Sequence, residues 1–206
     1  MKPEIFTYFI RGIFGDAERR DWTDEAEWWW VKLTQFPADN YKYFSRVLAN
    51  VFAGGRTRLI KRDISEWCEI TSHVVVPVMH SHGSKLGLGA LAMIDGYQFP
   101  EVVLIAAAVN RDCAKNGIIE LLDRDTVGHF TLVNSVNDGM LKHGGRWYGR
   151  LVGFGDLGRC TPEEVYATIP AGYHNRVTVI MDNEAGHSDH VTGDRLVAIL
   201  RRIAGQ

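Results

Sequence analysis

The residues best placed to do chemistry lie in the pentapeptide Met79-His80-Ser81-His82-Gly83. It joins an apolar run, His73-Val74-Val75-Val76-Pro77-Val78, to a stretch of small residues, Ser84-Lys85-Leu86-Gly87-Leu88-Gly89-Ala90-Leu91-Ala92. That pattern predicts a buried strand, a sharp turn and a helix, with Ser81 at the apex. A serine so placed stands clear of the backbone. The helix behind it offers N–H groups to a developing oxyanion. A serine hydroxyl is a weak nucleophile until a base takes its proton, and an imidazole base needs a carboxylate to fix its tautomer. Nucleophilic chemistry at Ser81 therefore requires a histidine and an acid from elsewhere in the chain.

The elements that must deliver them can be read from short apolar runs. Residues 5–10 form the first, ending at Arg11-Gly12-Ile13-Phe14. The elbow strand spans about 72–79, and further strands are expected over 102–109, 130–136 and 176–181. Thr23 or Asp24 is positioned to cap a helix bearing Trp28, Trp29 and Trp30. A strand within 41–52 and a helix through 56–68 follow, and an amphipathic helix over 191–203 closes the chain. Short apolar runs alternating with helical segments predict an α/β fold, a mainly parallel sheet with helices on both faces, in one domain over 1–206. Ligands in such sheets gather beyond the carboxyl ends of the strands. Polar residues just past each strand are then the candidates, and they occur in the order Ser81, Asp138, His187.

Each assignment has a competitor. Ser81 also suits a turn serine capping a helix, and Asp138 a turn aspartate before Gly139. Asp112 and Asp182 follow strands too, and His190 and His174 are other bases. His80-Ser81-His82 has the H-x-H spacing of metal ligands, with His187-Ser188-Asp189-His190 as a second group. Binuclear metallohydrolases extend H-x-H into H-x-H-x-D-H, however. Here Gly83-Ser84-Lys85-Leu86 follows, so no catalytic metal is expected. The glycine-rich run over 149–158 lacks Gly-Lys-Ser/Thr and is no phosphate-binding loop.

The elbow resembles the G-x-S-x-G motif of the α/β-hydrolase superfamily, in the compact lipase/esterase form with His80-Ser81-His82-Gly83. The resemblance extends over roughly residues 5–200. Val136-Asn137-Asp138 looks like the family's acid turn and Gly186-His187-Ser188-Asp189 like its histidine loop. It implies a small α/β-hydrolase fold without a large lid, a triad of Ser81, Asp138 and His187, and oxyanion donors from the backbone N–H of His82 and of Gly12 or Ile13. The implied activity is cleavage of carboxylic esters with short or medium acyl groups through an acyl-enzyme. An acyltransferase or thioesterase on the same triad, or an inactive binding scaffold, is the alternative. Two positions depart from the pattern. Arg11-Gly12 replaces a His-Gly pair, and Met79 stands where a small residue relieves crowding between strand and helix, with Gly83, Gly87 and Gly89 as the residues to supply that room instead.

Composition bounds the partners. A formal net charge of −2 gives no electrostatic reason to expect nucleic acid or an anionic membrane surface. The basic cluster Arg56-Thr57-Arg58-Leu59-Ile60-Lys61-Arg62 reads as the solvated face of a helix. No apolar run approaches the ~18 residues of a membrane span, and no signal peptide is evident, so a cytoplasmic protein is expected. Three cysteines without C-x-x-C spacing suggest reduced thiols. No cofactor is expected, and a small-molecule ester is the expected partner.

Overall fold

Alternation along the strands divides the core into two faces. The computed structural model describes residues 5–10, 30–33, 53–70, 74–147, 155–187, 189–191 and 193–203. Six strands form one sheet: β1 (Ile5–Ile10), β2 (Trp30–Leu33), β3 (Val74–His80), β4 (Val102–Ile105), β5 (Phe130–Asn134) and β6 (Val177–Met181). Their order is β2-β1-β3-β4-β5-β6, and every pairing is parallel. With a side-chain period of two, Val75 and Met79, Val102 and Leu104, and Phe130 and Leu132 fall on one face. Val76 and Val78, Val103 and Ile105, and Val133 fall on the other. Both faces are apolar, as expected for a parallel sheet covered by helices on each side.

Helices α1 (Ala53–Ile70) and α2 (Gly83–Leu91) lie on the first face, through Ile60 and Ile64, and through Leu88 and Leu91. Helices α3 (Cys113–Asn116) and α4 (Ile118–Asp123) add Cys113, Leu121 and Leu122. The second face is covered by α7 (Gly193–Ile203) through Leu196 and Ile199. Between β5 and α7 come α5 (Gly139–Trp147) and α6 (Pro162–Tyr166), the latter started by a capping box between Thr161 and Glu164. Arg58 and Arg62 are exposed on α1, one turn apart, while Ile60 and Ile64 are buried. Arg58 and Arg62 of the basic cluster thus lie on the outer face of an amphipathic helix.

The α/β architecture, its parallel sheet and its two helical layers are as the sequence predicts; three local expectations are corrected. Trp30 and Val31 belong to strand β2, not to a helix. A run of aromatic and β-branched residues favours extended backbone once a neighbouring strand is available. The strand expected over 102–109 stops at Ile105, because Ala106 adopts φ +46°. The strand expected over 130–136 stops at Asn134. The cap at Thr23 or Asp24 and the strand within 41–52 lie outside the described residues.

Strand order locates the candidate site. From β1 the chain goes outward to β2, returns to β3, and then proceeds the opposite way through β4, β5 and β6. Connections therefore diverge between β1 and β3, which opens a crevice at the carboxyl end of the sheet. Ser81 is the first residue past β3.

Candidate functional site

Ser81 has φ +55°, a left-handed conformation that costs a residue with a Cβ about 1–2 kcal/mol. Three backbone hydrogen bonds hold it there. Its N–H donates to Ile105 O (3.0 Å), and its carbonyl accepts from Ser84 N (3.2 Å) and Ala108 N (3.1 Å). The chain turns at once into α2, with His82 at the N-cap. This is the strand–serine–helix elbow expected from the sequence.

Met79, the departure from the small residue at the elbow, fits because α2 carries a glycine opposite it. A Cβ at position 87 would lie 2.3 Å from Met79 Sδ, 2.7 Å from its Cε and 2.8 Å from Ile10 Cδ1. The fully buried thioether occupies the space a side chain at 87 would take. Room at the elbow therefore comes from Gly87, one turn into the helix.

The segment after β4 supports the turn from beneath. Residues 106–109 are buried yet not in a strand. Ala106 N donates to Val133 O (3.0 Å) and Ala108 N to Ser81 O. Gly158 presses against this segment so closely that a Cβ would lie 2.5 Å from Ala106 C and Ala107 N. Its N–H donates to Ala107 O, and its carbonyl accepts from Ser135 N at the end of β5. Buried Asn134 donates to the carbonyls of Leu157 (2.9 Å) and Cys160 (2.8 Å), which completes this support.

Asp138 follows β5 by four residues and is 1% exposed. Its Oδ1 accepts from Leu141 N (2.9 Å), capping the first turn of α5, and its Oδ2 meets His187 Nδ1 at 2.7 Å. A carboxylate acceptor at Nδ1 places the imidazole proton there, leaving Nε2 bare. That nitrogen lies 2.8 Å from Ser81 Oγ, at hydroxyl-to-acceptor distance. The three residues thus form one hydrogen-bonded line from a capped carboxylate to the apex of the elbow.

The acid and histidine turns are tied together beyond the strand ends. Asp182 N donates to Asn134 O, Ser135 Oγ to Ala185 O (2.8 Å), and Val136 N to Asn183 Oδ1 (3.2 Å). Asn137 Nδ2 donates to Asn183 O (2.7 Å). His80, directly before Ser81, donates Nε2–H to His187 O (2.9 Å). Neither Asn183 nor His80 was singled out from sequence for this role. For His80 the signal is its parity with Val76 and Val78, which turns it to the face covered by α7.

The competing acids and bases make other contacts. Asp112 caps α3 through Ala114 N (3.1 Å) and pairs with Lys115. Asp182 holds Arg195, whose guanidinium keeps its carboxyl below the usual range. His174 Nε2 bonds the carbonyls of Tyr166 and Ile169. His190 is 1% exposed, 3.6 Å from Asp182. Burial pushes the thiols of Cys160 and Cys68 up, to about 12 and about 11, and raises that of Cys113. Gly12 and Ile13, the expected oxyanion donors, lie outside the described residues, as does Arg11. Among the described residues no group of three or more His, Cys, Asp or Glu is arranged to hold a metal ion. Among them, too, no helix is long and apolar enough to cross a membrane.

No protein-family model and no curated protein matches this sequence. Solved structures do resemble it. The crystal structure of TT1662 from Thermus thermophilus matches with a TM-score of 0.61 at 15% identity, covering 98% of this chain and 89% of that one. A putative YdeN-like hydrolase from Pectobacterium atrosepticum matches with a TM-score of 0.48 at 18% identity, over 98% and 90% of the two chains. MenH from S. aureus matches with a TM-score of 0.48 at 7% identity, over 98% and 95%. Identities this low speak to the fold alone. What is shared is therefore the architecture: a parallel sheet flanked by helices, an α/β-hydrolase-like fold with its elbow at the switch point.

Proposed function

We propose that the protein is a serine hydrolase that cleaves carboxylic esters through an acyl-enzyme on Ser81. The observation that carries this reading is the unbroken line Asp138–His187–Ser81, with contacts of 2.7 and 2.8 Å, ending on a serine held at positive φ. His187 Nε2 takes the Ser81 hydroxyl proton as Oγ bonds to the ester carbonyl carbon. The carbonyl oxygen becomes an oxyanion, received by the backbone N–H of His82 and by a second N–H from Gly12 or Ile13. Its collapse breaks the bond to the alkoxy oxygen, which takes the proton from His187 and leaves as the alcohol. Water then repeats the sequence: His187 takes one of its protons, hydroxide adds to the acyl carbon, and Ser81 Oγ leaves with a proton to regenerate the enzyme. Asp138 stabilises the imidazolium formed in both halves. Short or medium acyl groups are the substrates in this reading, and no cofactor takes part.

The alignment of all three groups weighs against an inactive scaffold, for which a Ser81 hydroxyl turned into the core would be expected. The test is intact-mass labelling with a fluorophosphonate, with and without chelator. A single adduct on the wild type, lost in Ser81→Ala and indifferent to chelator, is the expected outcome. Turnover of a short-chain ester panel should fall roughly 10⁴–10⁶-fold in the same variant. A folded protein that takes no adduct would overturn the proposal.

A further inference from the structure

His80 is buried in the candidate site, yet the proposed mechanism gives it nothing to do. It is 4% exposed and shares its sheet face with Val76 and Val78. Its Nε2 lies 2.9 Å from the carbonyl oxygen of His187, and a carbonyl only accepts, so Nε2 carries the proton. The rings of His80 and His187 lie 5.0 Å apart between centroids, tilted by 44°. Residues Asn183 and Ala185 of the histidine turn are held by the acid turn. The bond from His80 falls on His187 itself.

We propose that His80 is a positioning residue for His187, fixing through its Nε2–H and its ring the angle at which that imidazole meets Ser81. The inference rests on the serine-nucleophile reading above. Three features support it. His80 is covalently adjacent to Ser81, so a displacement of the elbow carries the brace with it and the distance from base to nucleophile is preserved. A ring gives a stiff support where a longer polar chain would give a loose one. Charge matters as well. A cation 5.0 Å from His187 would oppose the imidazolium the mechanism requires. Burial, then the neighbouring His187, pushes the His80 pKa down to about 3, so its ring stays neutral near pH 7. A misplacement of about 1 Å in such a site costs on the order of 10²-fold in rate.

The experiment measures fluorophosphonate labelling at several reagent concentrations, which separates the maximal rate of modification from the affinity for the reagent. Wild type is compared with His80→Phe, His80→Gln and His80→Asn, with Ser81→Ala as blank. Glutamine carries its amide nitrogen as many bonds from Cβ as histidine carries Nε2, whereas asparagine falls one short. His80→Phe should lose about 10²-fold in maximal rate with reagent affinity unchanged. His80→Gln should regain most of that loss, and His80→Asn should not. This contrast is readable even if the phenylalanine variant fails to fold. A wild-type rate in His80→Phe, or a glutamine variant no better than asparagine, would overturn the assignment. No adduct on wild type would instead sink the serine reading, and this one with it.

Discussion

Asp138 shows how one side chain serves two demands that compete when only the sequence is in view. An aspartate before glycine reads as a turn residue, and an acid between a serine and a histidine in chain order reads as part of a triad. Its two oxygens separate the roles, Oδ1 capping α5 and Oδ2 taking the imidazole. Asp138→Asn should keep much of the cap but lose the charge and can impose the wrong tautomer on His187. The expected loss is about 10⁴-fold in kcat for ester turnover. Asp112→Asn, at an exposed cap, should leave turnover unchanged. Equal losses in the two variants would remove Asp138 from its assigned role. The serine, acid and histidine that the structure brings together were legible because each follows a strand, and strand ends can be read from apolar runs. His80 was not legible in this role. Its meaning depends on a loop 107 residues away in sequence, and nothing local encodes that contact.

Among the elements, the pairing of β3 with α2 decides whether the elbow can form. Sequence alone leaves open which of Gly83, Gly87 and Gly89 makes room for Met79; the geometry makes Met79 and Gly87 one packing unit. Gly87→Ala should therefore destabilise the fold by about 1–3 kcal/mol, through overpacking against a fully buried thioether. Met79→Ala should also destabilise, by cavity formation. Combined, the two changes should cost less than their sum, since the new methyl enters the space the methionine vacates. Urea unfolding of the four proteins gives this coupling directly, and strict additivity would mean that the two residues do not share the space. Strand boundaries were less legible than strand identity for a related reason. The stop at Ala106 is set by Val133 and Gly158, which are distant in sequence, while the alanine and valine run around it reads as uninterrupted strand.

For the whole molecule, buried histidines govern the response to acid. The folded chain keeps His80 neutral down to about pH 3, while in the unfolded chain it takes a proton near 6.5. His190 and His129 are shifted in the same direction, chiefly by burial. Below about pH 6.5 the unfolded state thus binds protons that the folded state does not. Stability is full above that value and falls as pH drops toward 3, by up to about 1.4 kcal/mol per pH unit for His80. The urea midpoint should be lower at pH 5 than at pH 7.5, and His80→Gln should flatten the difference. A wild-type midpoint unchanged between the two pH values would contradict the burial assigned to these rings.

On the serine-hydrolase reading proposed above, the line through the site also has a consequence for when, during synthesis, the serine becomes reactive. Ser81 and its base are separated by 106 residues, and the histidine turn is anchored only once β6 has joined the edge of the sheet. At about 5–20 residues per second, a ribosome needs roughly 5–20 s to add that span. Throughout that interval the nascent chain carries a serine with no base to activate it. Synthesis of the segment that carries His187 is therefore also the step that allows the serine to be armed, so a nascent chain that ends before it carries no activated nucleophile.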